Sequence, residues 1–352
     1  METYYSSIFN EVFGPVMVGT SSSHTAGPYR IGATARMLLK NPIKRGRISF
    51  DPNSSYASYY KLQWSDRGFV AGLLGLEIDS EDMTDSLKIA DEKGVKVDFV
   101  IEEKENKEPN YAYMELEGED GSELRLGTTS IGGGAIEIIE IDGYPICICG
   151  DFNTIFIYVK ENAEVAEIKE KAGKIIGGQC KIEEISKESA CLLCIETRVF
   201  VNEKQIGELE QTEGIEKVRY TEHVLPVLSR FVYEGIPFRT AAEALEFGEK
   251  NNISSAGELG IQYEIKRSGY SRDEVMDMMK NIIRVMRESA RRGIENKTKE
   301  KIGGLYPIKA AEMYENIRSG NKKLAGIGIL NEIVCVAIGV LESVEIERPG
   351  AV

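Results

Sequence analysis

Residues 154–220 constrain the fold of this chain more than any other stretch. Strand-like runs at 155–160, 181–186, 191–197 and 215–220 are interleaved with helix-compatible stretches at 163–176 and 204–213. This is a small βαββαβ plan that neither an all-helical nor an all-β chain would carry. The sequence before it is also mixed. A helix is expected over 29–39, strands over 47–50 and 95–102, and short helices over 69–76 and 86–93. A hairpin should join 111–117 to 123–127 through Gly118-Glu119-Asp120-Gly121, because Asp-Gly suits the positive φ of a tight turn. After residue 220 helices take over. Thr240 and Glu243, Ser255 and Glu258, and Ser271 and Glu274 each have capping-box spacing. Met276, Met279, Ile283 and Met286 form a stripe expected to face core. A helix over 324–341 carries Asn331 and Glu332 as its only strongly polar side chains, so it needs a large core or a partner to cover it; lipid is disfavoured by Glu332. The expected class is α+β, and 352 residues suffice for two or three domains.

Chemistry concentrates in Gly19-Thr20-Ser21-Ser22-Ser23-His24-Thr25-Ala26-Gly27-Pro28, which runs directly into the first helix. A turn rich in glycine and hydroxyls that enters a helix offers unpaired N–H groups and the positive end of the helix dipole, which favours a bound carboxylate or phosphate. A plain capped helix start is the alternative, but one Ser or Thr would serve it. This run brings several hydroxyls together with a histidine. The chain's other histidine, His223, is expected to begin a helix in a structural role. Residues 128–134 add hydroxyls and the glycines Gly132, Gly133 and Gly134, which let a backbone approach a ligand closely. On pattern they read equally as a second wall of a pocket or as a bulged strand.

The balance of 43 basic against 57 acidic residues gives a formal charge of −14, which argues against nucleic acid or an anionic membrane as partner. Small molecules and proteins fit better. The first residues show neither the basic nor the apolar region of a secretory signal, so a cytoplasmic location is expected. Cys147, Cys149, Cys180, Cys191, Cys194 and Cys335 are then expected as thiols. Cys191 and Cys194 within one strand would point to opposite faces, which is poor metal geometry, and no metal ligand is assigned.

The run Gly14-Pro15-Val16-Met17-Val18-Gly19-Thr20-Ser21-Ser22-Ser23-His24-Thr25-Ala26-Gly27-Pro28 closely resembles the signature of the β region of iron–sulfur-dependent L-serine dehydratases, or L-serine ammonia-lyases. Ser130-Ile131-Gly132-Gly133-Gly134-Ala135-Ile136-Glu137-Ile138 resembles the Ser-Ile-Gly-Gly-Gly element of that family, and the chain from Phe238 resembles the start of its α region. The resemblance implies three parts: a serine-dehydratase β-type α/β domain over 1–150, an ACT-like βαββαβ domain over 151–222, and an all-α segment over 223–352 matching the N-terminal half of the α region. It implies conversion of L-serine to pyruvate and ammonia. His24, Ser23 and Asp66 would then be catalytic, and Ser21, Ser22, Thr25, Ser130, Gly132, Gly133 and Gly134 would contact substrate.

ACT-like modules pair and bind an amino acid, which makes Gly177 and Gly178 regulatory candidates; a purely structural ferredoxin-like spacer is the alternative. A 4Fe-4S cluster acting as a Lewis acid is expected in the complete enzyme. Its ligands are not found in this chain, so the expected partner is a second polypeptide carrying the cluster-binding α half, in a homo- or hetero-oligomer. Two departures stand out. Gln63 and Trp64 stand where the family's Gly-His-Gly-Thr-Asp element supplies glycine and a second histidine, leaving Ser65-Asp66 as a partial match. Ile302-Gly303-Gly304-Leu305-Tyr306-Pro307 keeps glycines but lacks the acid of the Thr-Gly-Gly-Asp element. These losses leave room for a non-catalytic amino-acid-binding sensor or regulatory paralogue. They also leave room for a lyase acting on a different amino acid, since Trp64 and Arg67 would reshape the pocket.

Overall fold

The computed structural model describes residues 5–13, 15–19, 21–104, 108–187, 190–230, 236–295 and parts of 301–319. Residues 1–272 and 273–352 form two units. The helix expected over 324–341 and Cys335 lie outside the described residues, as do Gly303, Gly304 and Leu305.

In the first unit the hydroxyl-rich run forms a π-turn, Ser22–Ala26, that passes straight into α1 (Gly27–Leu39). The chain continues through β1 (Ile43–Phe50), α2 (Ser55–Tyr59), α3 (Ser65–Leu74), α4 (Ser86–Glu92), β2 (Lys96–Ile101), β3 (Tyr111–Gly118), β4 (Glu123–Gly132), β5 (Ala135–Ile141) and β6 (Tyr144–Ile148). The strands form one sheet in the order β2-β1-β3-β4-β5-β6. β2 lies parallel to β1, and the remaining neighbours are antiparallel. The Asp-Gly turn joins β3 to β4 as the sequence requires, with Gly121 at φ +83°.

Helix α1 crosses α3 where both sequences place glycine. A β-carbon on Gly32 would lie 2.4 Å from Phe69 O, and one on Gly72 would lie 2.1 Å from Tyr29 O. The two backbones therefore touch, and no larger residue fits without parting the helices. This crossing sets the start of α3 against the π-turn.

The βαββαβ expectation emerges as β7 (Asn153–Val159), α5 (Val165–Ile176), β8 (Cys180–Lys187), β9 (Ala190–Thr197), α6 (Glu203–Glu210) and β10 (Ile215–Thr221). The strand order is β10-β7-β9-β8, all antiparallel, which is the ferredoxin-like arrangement. One face packs under α5 and α6 through Ile155, Ile157, Leu193 and Ile195 against Ile168, Ala172, Ile206 and Leu209. The opposite face, with Phe156, Tyr158, Leu192 and Cys194, joins the core of the first sheet. Both faces are thus covered, which is why every residue of β7 is buried.

Arg219 of β10 fastens these two sheets together. Buried to 4% exposure, its guanidinium donates to Leu38 O at 2.8 Å, to Glu123 O and to Asp142 Oδ2 at 3.2 Å. It thereby satisfies a carbonyl in the last turn of α1, where no intrahelical donor remains.

His223 does not begin a helix. The chain past β10 is non-helical through residue 230, and Asn153 Oδ1 takes both the His223 backbone N–H at 3.0 Å and, at 3.2 Å, its Nδ1. Helices α7 (Ala241–Asn251) and α8 (Ala256–Ser268) follow, capped by Thr240 and Ser255 as their spacing predicts. α9 (Arg272–Glu295) leads into the second unit, where Met276, Met279, Ile283 and Met286 are half-buried. A short pairing of Lys301–Ile302 with Tyr306–Pro307 comes after it. Among the described residues no helix is long and apolar enough to cross a membrane.

Candidate active site

The π-turn arranges its hydroxyls around His24. Ser21 caps it, accepting from His24 N at 3.2 Å, and Ser21 Oγ lies 3.3 Å from Ser23 Oγ. Ser23 Oγ in turn lies 3.0 Å from His24 Nδ1. On the other side of the ring, Nε2 is 3.2 Å from Ser55 Oγ, at the start of α2. Tyr56 meets the imidazole edge-on at a centroid distance of 5.3 Å, and its hydroxyl reaches Ser23 O at 3.4 Å.

These bonds assign the histidine tautomer. Asn110 Nδ2 donates to Ser130 O at 3.0 Å, which turns Asn110 Oδ1 toward Ser55. Ser55 Oγ therefore faces two acceptors, Asn110 Oδ1 and Pro109 O, and its single proton goes to one of them. It must accept from His24, so the proton of the neutral ring sits on Nε2. Nδ1 is left with its lone pair, held by the Ser23 hydroxyl. Burial lowers the pKa of His24 below its usual 6.5, which keeps this basic form populated at neutral pH.

Ser130 belongs to the same construction through Asn110. Its hydroxyl is sealed beside Gly27 and Tyr56 without a partner of normal geometry. Gly133 and Gly134 form a two-residue turn between Gly132 and Ala135. Their φ values of +62° and +87° are those of the hairpin turn that demands glycine or a similar residue at both positions. A β-carbon on Gly133 would also lie 2.8 Å from Glu11 O. The sequence left a pocket wall and a bulged strand open for this stretch; the strand register does shift between Ser130 and Gly132, just before the turn.

The remaining expected residues sit nearby but are occupied differently. Thr25 is fully buried and donates to Gln63 O at 2.9 Å, so its hydroxyl ties the π-turn to the segment before α3. Ser22 Oγ is half-buried and bonds to none of the described residues. Asp66 is buried, accepts from Arg67 N at 2.8 Å, and has its carboxyl pKa raised by that burial; it makes no bond to His24. Trp64, which with Gln63 stands where the family's glycine and histidine are expected, adopts φ +63°, a left-handed conformation that favours glycine, and its ring lies under the Arg67 guanidinium. Gly177 and Gly178 stand at the end of α5, both at positive φ, and belong to the second sheet rather than to this cluster.

Sequence reasoning missed Ser55, Tyr56 and Asn110. The cap of α2 is Ser54, which leaves the Ser55 hydroxyl free for other partners. No local pattern links Asn110 to a histidine far upstream.

No three His, Cys, Asp or Glu side chains among the described residues converge as a metal ion would require. Cys194 is buried on one face of β9, with a thiol pKa pushed up by burial, while Cys191 lies against the other core. The described residues do not fit an iron–sulfur cluster.

Two relatives are similar to this chain. The probable L-serine dehydratase β chain of Bacillus subtilis (strain 168) is 33% identical over 218 residues, covering 61% of this chain and 97% of that protein. The L-serine dehydratase β chain of Peptoniphilus asaccharolyticus is 30% identical over 220 residues, covering 62% of this chain and 96% of that one. No protein-family model matches the chain.

Proposed function

The chain belongs to the L-serine dehydratase β-chain family, and from that premise we propose that it is the proton-handling and substrate-holding component of an L-serine dehydratase. The observation that carries this reading is the placement of His24, whose Nδ1 lies 3.0 Å from Ser23 Oγ in the hydroxyl-rich turn and whose Nε2 lies 3.2 Å from Ser55 Oγ. Dehydration of L-serine removes the α-proton and the β-hydroxyl, and the resulting enamine hydrolyses to pyruvate and ammonia. His24 Nδ1 takes the α-proton once Ser23 rotates aside. The imidazolium that forms keeps its Nε2–H bond to Ser55, so Ser55 and Asn110 hold the base in place before and after transfer. Ser21, Ser22 and Ser23 contact the substrate, and the 132–134 turn closes over it. Asp66, whose carboxyl pKa burial raises above the usual carboxylate value, is a second proton carrier in this reading.

The described residues converge no metal ligands, so proton handling and substrate holding are all that is assigned to this chain. The iron–sulfur half belongs, in this proposal, to a second polypeptide. Residues 151–222 are read as an ACT-like module with an amino-acid site at Gly177 and Gly178. Their positive φ and the ferredoxin-like strand order support it.

The test is pyruvate release from L-serine by the chain purified anaerobically together with what it retains, alongside the His24→Ala variant. Loss of a positioned base typically costs about 10²–10⁴-fold in rate. Unchanged turnover in the variant would sink the base assignment. A preparation that retains an iron–sulfur partner yet releases no pyruvate would point to another amino acid.

A further inference from the structure

Arg30 lies in the first turns of α1 and is 4% exposed. Among the described residues its guanidinium makes one hydrogen bond, from Nη1 to Gly134 O at 2.6 Å, and has no carboxylate at ion-pair distance. Glu11 acts on it only from farther away. A buried cation without a paired anion is costly, and proteins seldom keep one unless something negative arrives. Burial pulls its pKa down to about 10, so it still carries its charge at neutral pH.

The surroundings say where an anion would sit. Arg30 is not among the side chains with sealed, unsatisfied nitrogens, so the guanidinium nitrogens that lack a protein partner open onto accessible space. A β-carbon on Gly134 would lie 3.1 Å from Nη1 and 3.4 Å from the β-carbon of Ala26. The glycine turn is therefore laid against the guanidinium and against the end of the π-turn that carries His24.

We propose that Arg30 is the carboxylate anchor of this site. It fixes the 132–134 turn through Gly134 O and offers its remaining N–H groups to the carboxylate of a small amino or hydroxy acid. The inference rests on reading this pocket as the L-serine site. A guanidinium fork suits a carboxylate in two-point contact, which fixes the direction of the α C–H as well as its distance from a base. Neutralising the carboxylate also makes the α-proton easier to remove.

The test is calorimetric titration of the full chain and of Arg30→Met and Arg30→Lys with L-serine, with acetate, and with ethanolamine, which keeps serine's amine and hydroxyl but lacks its carboxylate. The expected result is L-serine binding weakened about 10–100-fold in Arg30→Met, with a smaller loss in Arg30→Lys, while ethanolamine binds the three proteins alike. The Met variant should keep its thermal midpoint, because an apolar side chain of similar length replaces a buried charge. Equal L-serine affinity in all three proteins overturns the proposal and leaves Arg30 as a clamp on the turn. Acetate binding that depends on Arg30 without L-serine binding keeps the anchor and removes serine as its ligand. Absence of any Arg30-dependent binding by either carboxylate overturns the anchor as well.

Discussion

Replacing Ser55 with alanine tests the hydrogen bonds that fix His24. Ser55 Oγ lies 3.2 Å from Nε2, and its one proton already faces two acceptors, Asn110 Oδ1 and Pro109 O, so it serves the ring as an acceptor. When Nδ1 gains a proton, that bond becomes charge-assisted. Such bonds contribute about 1.5–3 kcal/mol against about 1 kcal/mol for a neutral pair. The difference, on the order of 1 kcal/mol, is what Ser55→Ala removes from the imidazolium alone. The proton affinity of His24 should fall roughly fivefold, and turnover by at least a similar factor. The chain has only two histidines, so nitrogen-15 spectra of the ring can follow His24 directly, with His223→Gln settling which signal is which. The wild-type ring should show its proton on Nε2, and Ser55→Ala should populate the Nδ1–H form. A wild-type ring protonated on Nδ1, or an unchanged proton affinity in the variant, would refute the reasoning.

Gly72→Ala should destabilise the chain by about 1–3 kcal/mol in urea unfolding, because its β-carbon meets backbone of α1 at 2.1 Å and cannot be relieved by a side-chain rotation. Arg219→Met should cost about 3 kcal/mol in the same assay, since it strips the hydrogen bonds to Leu38 O and Glu123 O and leaves Asp142 without its buried cation. Acid should weaken the fold through its histidines. His24 and His223 both have folded pKa values lowered by burial, so the unfolded chain takes their protons first. Their stabilising contribution is complete above pH about 6.5 and is lost as the pH falls through the folded values. The fall in urea midpoint from pH 7.5 to pH 5 should be smaller in a His24→Gln/His223→Gln double variant; an equal fall would place the acid sensitivity elsewhere.

What the sequence made legible is what is written locally. The βαββαβ unit was readable because short apolar strand-like runs interleave with helix-compatible stretches and turn residues such as Gly177 and Gly214 stand between them. The Asp120-Gly121 turn was readable because its backbone requirement falls on one dipeptide. One side of the site was readable for the same reason, since Ser21, Ser23 and His24 are contiguous. The other side was not. Ser55 reaches His24, and Asn110 reaches Ser55, only after β1 and β3 have paired and α2 has been set at the end of β1, and pairing across the sheet leaves no local periodicity. His223 does not begin a helix because Asn153, distant in sequence on another strand, takes its backbone N–H and holds its ring, and nothing local to His223 signals that contact. At Trp64 the sequence showed a departure, and the backbone there occupies the left-handed region that a residue with a β-carbon enters only at a cost.

The position of Arg219 explains why the second sheet shares a core with the first. Helix α1 carries His24 just ahead of its first turn and gives Leu38 O to Arg219 in its last; β4 carries Ser130 near one end and gives Glu123 O to the same guanidinium at the other. A helix of 13 residues spans roughly 20 Å at 1.5 Å per residue. A tilt about its far end therefore moves the π-turn through a distance magnified by that length. Reacting groups must be held to about 0.5 Å, which a helix anchored only by its apolar face would not guarantee. The glycine crossing with α3 fixes α1 near its start, and Arg219 fixes it at its finish. Two separated anchors define a direction where one defines only a point, and the second anchor comes from β10.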